Sequence, residues 1–235
     1  MKSYVLPFTI VLAGAIIAGA VFFAGKNGTQ NPNSTQSGTQ ITARAYDPAQ
    51  DHILGNPQAP AKVVEYMDLE CPHCQVFNTT MHQVMDYYGA SGKVAWVSRP
   101  FPLAQIHSKA PEEAQAAECA AAQGGDTAYF KFTDKIFAVT PSDNGLDLSQ
   151  LPAYAQQVGL DGVKLMACVN AGTYAQKIQN SYNEAISYGA QGTPFTLIMV
   201  GNQGVALSGD QPYDSMRAAI DAVLQSTGNA TTTTQ

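Results

Sequence analysis

The sequence predicts an α/β fold in which a long helical segment interrupts a small sheet. Three observations predict this class. First, short apolar runs that suit buried strands lie at residues 62–67, 94–97 and 195–200. Second, a one-sided apolar pattern typical of an amphipathic helix separates the first two runs. Third, mostly helical patterns fill about 106–188, before the third run. Of the 235 residues, 45% are hydrophobic and 13% are charged, a composition typical of a globular protein.

An uncharged apolar segment begins the chain. Residues 4–25 carry no charged side chain and are flanked by Lys2 and Lys26. A run of this length is enough to cross a bilayer as a helix, so we predict a signal anchor, a transmembrane helix over residues 1–26. Cleavage of a secretory signal peptide near the small residues at 18–20 is the alternative. Either interpretation exports the remaining chain into an oxidising compartment.

Polar segments flank the predicted globular domain. Residues 27–45 and 227–235 are rich in small and polar residues and contain few apolar ones. This composition predicts a flexible linker and a disordered tail on either side of a domain at 46–226. The net charge is −6 and the chain has no run of basic residues, which argues against nucleic-acid binding.

The domain begins with a strand–helix–strand unit. The strand at 62–67 is followed by Pro72, which suits the first turn of a helix because the missing N–H costs nothing there. Apolar residues then recur every three or four positions up to Tyr88, and Gly89 ends the helix before the strand at 94–97. Two strands connected in this way should be parallel, with a right-handed connection.

Helical patterns dominate the insertion that follows. Pro111 and the two acidic residues after it start a helix that runs through an alanine-rich stretch to Gly124-Gly125, and an aromatic-rich helix comes next. The remaining predicted elements are helices at 148–158, 163–170 and 173–188, strands at 195–200 and 205–207 joined by a hairpin turn, and a last helix at 213–224.

A C-x-x-C motif, Cys71-Pro72-His73-Cys74, lies where the first strand gives way to the first helix. A thiolate at a helix N-terminus faces unpaired backbone N–H groups and the positive end of the helix dipole, which lowers the pKa of Cys71. We therefore predict a redox-active pair. A structural disulfide and half of a zinc site are the alternatives. Cys119 and Cys168 lack a second C-x-x-C spacing, so no metal is predicted.

The order of elements and four local sequences resemble the DsbA-like thiol:disulfide oxidoreductases, which have a thioredoxin fold with an inserted helical domain. The four are the C-x-x-C with its Pro-His dipeptide, Glu65 six residues before it, the Gly192-Thr193-Pro194 loop, and residues 51–57, which are similar to the lead-in of the membrane-tethered bacterial branch. The resemblance covers about 46–226, with the helical insert at about 106–188.

This resemblance implies roles for the residues around the motif. Cys71 is expected to be the nucleophile, and its disulfide with Cys74 would exchange with substrate thiols. Pro72 and His73 form the dipeptide typical of the oxidising members, and His73 would stabilise the Cys71 thiolate by charge or a hydrogen bond. Glu65 would relay protons to or from Cys74, with a satisfied core polar group as the alternative.

Two further pairs of residues follow from the resemblance. Pro194 is expected to be cis after Thr193 and to shape a groove beside the cysteines for extended substrates. Cys119 and Cys168 are expected to form a structural disulfide in the insert, since an even count of four cysteines in an exported chain supports pairing. Free thiols or a redox relay are the alternatives.

The predicted function is an exported thiol oxidase tethered to a bacterial cell membrane, with its catalytic domain on the extracytoplasmic side. Its expected partners are reduced, unfolded exported proteins and an unidentified membrane reoxidase; it needs no cofactor and is expected to be monomeric. Thr193 also occurs in isomerase and reductase relatives, and Asp68 and Glu70 would oppose a thiolate at Cys71 if they lie close. A reductase or isomerase, and a non-catalytic chaperone or peptide-binding module, are the alternatives. The three histidines outside the motif are predicted to be surface residues.

Overall fold

Six strands and six α-helices make up the part of the chain that the structure describes. This computed structural model describes residues 39–231, with side chains up to residue 226. The elements are β1 (Thr39–Thr42), β2 (His52–Gly55), β3 (Ala61–Met67), α1 (Pro72–Tyr88), β4 (Val94–Pro100), α2 (Ala110–Val139), α3 (Leu151–Gln157), α4 (Gly162–Asn170), α5 (Ala175–Ser187), β5 (Phe195–Val200), β6 (Gln203–Ser208) and α6 (Tyr213–Thr231).

The strands form one mixed sheet in the order β1-β6-β5-β3-β4-β2. β3 and β4 are parallel neighbours joined through α1, which confirms the predicted strand–helix–strand unit. β5 lies antiparallel on the other side of β3, and β6 pairs antiparallel with β5. The N-terminus of α1 therefore lies at the carboxyl end of β3, the edge where open α/β sheets place their functional groups.

The side chains of β3 alternate between two hydrophobic layers. Val63 belongs to the larger layer, which also contains Cys71 and Cys74, whereas Val64 belongs to the layer on the other face of the sheet. Successive side chains of a strand point to opposite faces. Glu65, two positions after Val63, consequently lies on the face that carries the cysteines.

The helical insert consists of α2 to α5 between β4 and β5. α2 is interrupted at Gly124 and Gly125, where the backbone leaves the helical region, and Gly125 has a φ of 65° that favours glycine. This interruption is the predicted helix break. The sulfur atoms of Cys119 in α2 and Cys168 in α4 are bonded to each other. On the chain-entropy model, a cross-link across 49 residues stabilises the fold by about 4 kcal/mol.

Two edge strands are absent from the sequence prediction. β1 lies inside the predicted linker at 27–45 and pairs with β6, and β2 pairs with β4 at the opposite edge. Each strand has four residues, and the side chains of β1 are largely exposed. Edge strands pair through backbone groups on one side only, so β1, which is mostly polar, leaves no hydrophobic pattern in the sequence, and β2 is too short to show an alternating one.

The last helix is longer than predicted. α6 runs to Thr231 rather than ending at Leu224, so the prediction of a disordered tail is wrong for residues 227–231. Extending an existing helix adds one hydrogen bond per residue without a new nucleation cost, which is why a polar sequence can continue it. Residues 232–235 of the predicted tail lie outside the described part.

The predicted signal anchor at 1–26 and most of the predicted linker also lie outside the described residues. Between residues 39 and 231, none of the helices combines the length and the apolar character that crossing a membrane requires.

Candidate active site

Cys71 is the N-cap residue of α1, four residues after the end of β3. Its backbone is extended, with φ −82° and ψ 121°, and Pro72 occupies the first helical turn. The residue is 5% exposed. At this position the free backbone N–H groups of the first turn point toward the sulfur, and those of His73 and Cys74 hydrogen bond to it.

These contacts lower the pKa of the Cys71 thiol from 9.0 to about 6. The hydrogen bond from the Cys74 thiol has the largest effect, and the contacts with Thr193 and the two backbone N–H groups add to it, while burial acts in the opposite direction. The Cys71 sulfur also lies 3.4 Å from the carbonyl oxygen of Thr193. At neutral pH the reduced protein therefore carries a thiolate at Cys71.

Cys74 has the opposite environment. It is fully buried, and burial, with a further contribution from the Cys71 thiolate and from Glu65, raises the pKa of its thiol well above 9.0. The backbone N–H of Asp68 donates a hydrogen bond to its sulfur over 3.5 Å. The two thiols are thus chemically unequal, because Cys71 is a reactive thiolate and Cys74 is a protonated partner behind it.

Glu65 is a buried acid beneath the two cysteines. It is 1% exposed, and its Oε2 accepts a hydrogen bond from the Trp96 indole N–H over 2.9 Å. Burial, opposed by the Trp96 hydrogen bond and assisted by the negative charge of Cys71, raises the pKa of Glu65 to about 8. Glu65 is therefore protonated at neutral pH and has a pKa suited to exchanging a proton with Cys74.

The Thr193–Pro194 peptide bond is cis and faces Cys71. β5 begins directly after Pro194. The Pro194 carbonyl oxygen accepts a hydrogen bond from the backbone N–H of Gly209 over 2.9 Å, which ties this loop to the turn after β6. The chain thus places the Thr193–Pro194 loop on one side of Cys71 and the first turn of α1 on the other.

The position of the His73 imidazole does not match the role that the resemblance implies. Its side chain is 64% exposed, and Nδ1 lies 3.0 Å from Oδ1 of Asp210, in the turn before α6. Among residues 39–231 the structure gives the imidazole no hydrogen bond to Cys71; only the backbone N–H of His73 contacts that sulfur. Asp210 is a site residue that sequence reasoning missed, since no motif marks it.

The acids that precede Cys71 are buried and engaged by other groups. Asp68 accepts hydrogen bonds from the backbone N–H of Leu103 over 2.8 Å and from His107 Nδ1 over 2.9 Å. Glu70 accepts one from the backbone N–H of Asn144. Both carboxylates thus accept hydrogen bonds from groups other than Cys71, and neither is among the main influences on the pKa of Cys71.

A third carboxyl group, Glu113 in α2, lies against Glu70. Glu113 is completely buried, and its oxygens have no other hydrogen-bond partner among the described residues. Burial, followed by the proximity of Glu70, raises the pKa of Glu113 to about 10. Glu113 is accordingly protonated at neutral pH, which removes one negative charge from the surroundings of the motif.

The prediction that the other histidines lie on the surface is wrong for two of them. His52 is 7% exposed and lies between Glu118 and Asp126, at 3.0 and 3.1 Å. His107 is 5% exposed. His82 is partly exposed and lies 2.8 Å from Asp134. The acids that pair with them are distant in sequence or belong to other elements, so spacing along the chain does not reveal them.

The structure bears directly on the zinc alternative. Cys119 and Cys168 are joined to each other, so neither can complete a four-cysteine site with Cys71 and Cys74. Within the described part of the chain, no cluster of three or more histidine, cysteine, aspartate or glutamate side chains has an arrangement that could hold a metal ion.

The rate at which iodoacetamide alkylates reduced Cys71 is expected to titrate with a midpoint near pH 6, because the pKa of this thiol lies there rather than at 9.0.

The pKa of Cys71 is lower in the folded protein than in the unfolded chain. The stability that the thiolate gives the reduced fold is therefore complete above pH 9 and is lost as the pH falls through about 6. At pH 7 it is about 1.4 kcal/mol.

The Cys71→Ser variant is the control for this titration. Since burial keeps Cys74 protonated, the variant should show almost no alkylation below pH 8. A midpoint of 8 to 9 for the unaltered protein would contradict the stabilised thiolate.

A reactive and a buried thiol at the N-terminus of a helix, opposite a cis-proline on this sheet, define a thiol:disulfide oxidoreductase. Residues 47–222 match the thioredoxin family model, and the chain belongs to this family. Its fold, with the helical insert, is that of the DsbA-like members.

Solved structures of the same fold extend this result. Pseudomonas aeruginosa DsbA2 is 29% identical, with a TM-score of 0.62, over 74% of this chain and 94% of that one. Wolbachia pipientis alpha-DsbA1 is 25% identical, with a TM-score of 0.64, over 79% and 94%. BdbD from Bacillus subtilis shares the fold at 20% identity and a TM-score of 0.67, over 79% and 98%. The chain is thus a DsbA-like thiol:disulfide oxidoreductase.

Curated sequences that match part of the chain bear a different name. The Na(+)/H(+) antiporter NhaA 1 of Mycobacterium sp. (strain KMS) is 37% identical over 118 residues, which is 50% of this chain and 18% of that protein. The NhaA antiporter of Herminiimonas arsenicoxydans is 28% identical over 176 residues, 75% of this chain and 26% of that protein. The chain spans about a quarter or less of these relatives, so ion exchange is not carried over to it.

Proposed function

We propose that this protein is an exported thiol oxidase that forms disulfides in extracytoplasmic proteins by transferring its own Cys71–Cys74 disulfide. The inequality of the two thiols carries the proposal. The pKa of Cys71 is lowered to about 6, while that of Cys74 is raised well above 9.0. Stabilising the Cys71 thiolate stabilises the reduced protein, and that makes its disulfide more oxidising.

The size of this effect follows from the pKa. At pH 7 the thiolate stabilises the reduced form by about 1.4 kcal/mol relative to a thiol of ordinary pKa, which corresponds to about 30 mV in potential. Because burial keeps Glu65 and Cys74 protonated and neutral, neither group adds a negative charge near Cys71. The electrostatics of the site therefore favour the oxidising direction.

The first step begins from the oxidised enzyme. A substrate thiolate attacks the Cys71 sulfur, a substrate–Cys71 disulfide forms, and the Cys71–Cys74 bond breaks. Cys74 leaves as a thiolate in a buried site that disfavours its charge. The proton that it needs is available from Glu65, which lies on the same face of the sheet. With a pKa of about 8, Glu65 is a neutral carboxylic acid at pH 7.

The second step releases the oxidised substrate. A second substrate thiolate attacks the substrate sulfur of the mixed disulfide, the new substrate disulfide forms, and Cys71 leaves as a thiolate. Two electrons have then passed from the substrate to Cys71 and Cys74. The backbone N–H groups of His73 and Cys74 stabilise this leaving thiolate. We expect an extended substrate to bind along the Thr193–Pro194 loop, which lies beside Cys71.

The cellular setting belongs to the same proposal. The uncharged segment at residues 4–25 supports export and retention in a bacterial membrane, with the domain on the extracytoplasmic side. Reduced, unfolded exported proteins are the proposed substrates, and a membrane protein that accepts two electrons from the Cys71–Cys74 dithiol is the proposed reoxidant. The polar segment after the anchor would let a monomer reach both.

The test is a redox titration of the full-length protein in detergent against glutathione, together with oxidative refolding of a reduced, unfolded model substrate. We expect a potential nearer to the DsbA value of about −120 mV than to the thioredoxin value of about −270 mV. Stoichiometric oxidation of the substrate should accompany it. A potential near the thioredoxin value would refute the oxidase and assign a reductase to the same site.

A further inference from the structure

The turn between β6 and α6 brings an acid to the motif from 137 residues away. Oδ1 of Asp210 lies 3.0 Å from Nδ1 of His73, and their side chains are 33% and 64% exposed. The turn has a fixed position, because Gly209 adopts a left-handed φ of 78° and its N–H donates to the carbonyl oxygen of Pro194. Asp210 is therefore held by the loop that forms the opposite wall of the site.

Two contacts consequently bridge α1 and the loops that face it. One joins Cys71 to the carbonyl oxygen of Thr193 over 3.4 Å, and the other joins His73 to Asp210. The imidazole has no second hydrogen-bond partner among residues 39–231. The orientation of His73 is thus set by an acid rather than by the sulfur two residues before it.

We propose that Asp210 is a positioning residue that holds the imidazole of His73 away from Cys71, so that His73 contributes less to the thiolate than it would if it were free. An imidazolium near a thiolate stabilises it, and a carboxylate bound to that imidazolium cancels much of the effect. Because the pair is exposed, its interaction is weak and its removal leaves the fold intact. The inference rests on the proposed exchange at Cys71, but not on its direction.

The test is a double-mutant cycle on the full-length protein, with the equilibrium constant for reduction by glutathione as the readout. Asp210→Asn keeps an oxygen at the same place and removes the charge. We expect it to shift the equilibrium toward the reduced enzyme about twofold to fivefold, the range for an exposed ion pair, which corresponds to about 10 to 20 mV. The alkylation midpoint of Cys71 should fall in parallel. Asp210→Glu, which retains the charge, should restore the original constant.

His73→Ala completes the cycle. We expect a change of less than about twofold when Asp210 is present, and we expect the shift caused by Asp210→Asn to vanish when His73 is also replaced. Asp214→Asn, an exposed acid in the first turn of α6, is the matched control for the loss of one charge and should leave the constant unchanged.

Two results would overturn the inference. One is a shift in the equilibrium constant of equal size with and without His73, which would mean that the charge of Asp210 acts directly on the Cys71 sulfur. The other is no shift at all. A wild-type potential near −270 mV would refute the oxidase without affecting this cycle, because the cycle compares variants with one another.

Discussion

Replacing Cys71 by serine is expected to abolish thiol oxidation, lowering the rate by about a thousandfold or more, because the sulfur that forms the mixed disulfide is lost. The fold should survive the change. Serine is nearly isosteric with cysteine, and Cys71 occupies an N-cap position, where serine is among the preferred residues. The measurement is the rate of disulfide formation in a reduced substrate, with unfolding in urea as the check on stability.

Cys74→Ser is the informative partner of that variant. It retains the nucleophile at Cys71 but removes the thiol that expels a bound substrate. When the variant is given a disulfide-containing substrate, the Cys71 thiolate attacks that disulfide, the substrate S–S bond breaks, and the resulting substrate–Cys71 disulfide has no Cys74 thiol to resolve it; such complexes should accumulate and be visible on non-reducing gels. Residual oxidation by Cys71→Ser at more than a few per cent of the original rate would show that the nucleophile is misassigned. Full activity in a refolding assay without disulfide formation would instead favour a chaperone.

The reactive centre is the part of the molecule that local sequence determines most completely. β3 is a largely buried, mainly apolar strand, and its alternation places Glu65 on the same face as the helix that follows. The C-x-x-C begins that helix, so backbone N–H groups reach Cys71 without any long-range contact. The Thr193–Pro194 loop needed the family resemblance, because a proline in isolation has only a small tendency to be cis.

The environment of the centre depends on contacts that no spacing reveals. Asp210 meets His73 across 137 residues, and His107 meets Asp68 across 39. Each pair joins a loop to the edge of the sheet, and the sequence around each loop carries no periodic signal. Polar contacts of this kind arise from the tertiary fold. Spacing along the chain therefore misplaced His52 and His107, although the apolar patterns correctly placed the helices and the central strands.

The N-terminal arm also makes polar contacts that spacing along the chain does not reveal, and we expect these contacts to contribute more to the free energy of unfolding. In the N-terminal arm, residues 39–51, the first seven residues fall in the predicted linker and the rest begin the predicted domain. The arm contains Arg44 and Asp51, which join Arg99 of β4 in a largely buried ion network. Oδ1 of Asp51 lies 2.8 Å from Nε of Arg99, and its two oxygens also accept from Arg44 at 2.9 and 3.0 Å. The side chains of Asp51 and Arg99 are 0% and 1% exposed.

Asp51→Ala is expected to destabilise the protein by about 3 kcal/mol, the lower end of the range for breaking a buried ion pair, because the guanidinium of Arg99 keeps only the carboxylate of Glu184, 3.7 Å from its Nη1, as a counter-charge. Tyr66 and backbone carbonyl oxygens would still accept hydrogen bonds from Arg99, but they carry no charge. The measurement is urea unfolding at pH 7, followed by circular dichroism. Asp86→Ala, which removes an exposed acid from α1, is the matched control and should change the unfolding free energy by less than about 0.5 kcal/mol.

The pH dependence of the Asp51→Ala effect separates lost charge from lost packing. Burial by itself would raise the pKa of Asp51, but the hydrogen bonds from Arg44 and Arg99 hold it below its usual 3.8. The stability that the carboxylate provides is therefore present above pH 3.8 and is lost as the pH falls through the lower value. The difference between the two proteins should stay constant from pH 7 to about 5 and shrink at more acidic pH. A difference below about 1 kcal/mol at pH 7 would mean that Glu184 or water replaces the carboxylate beside Arg99, and the Asp51 contact would then contribute little to holding the sheet that carries Cys71.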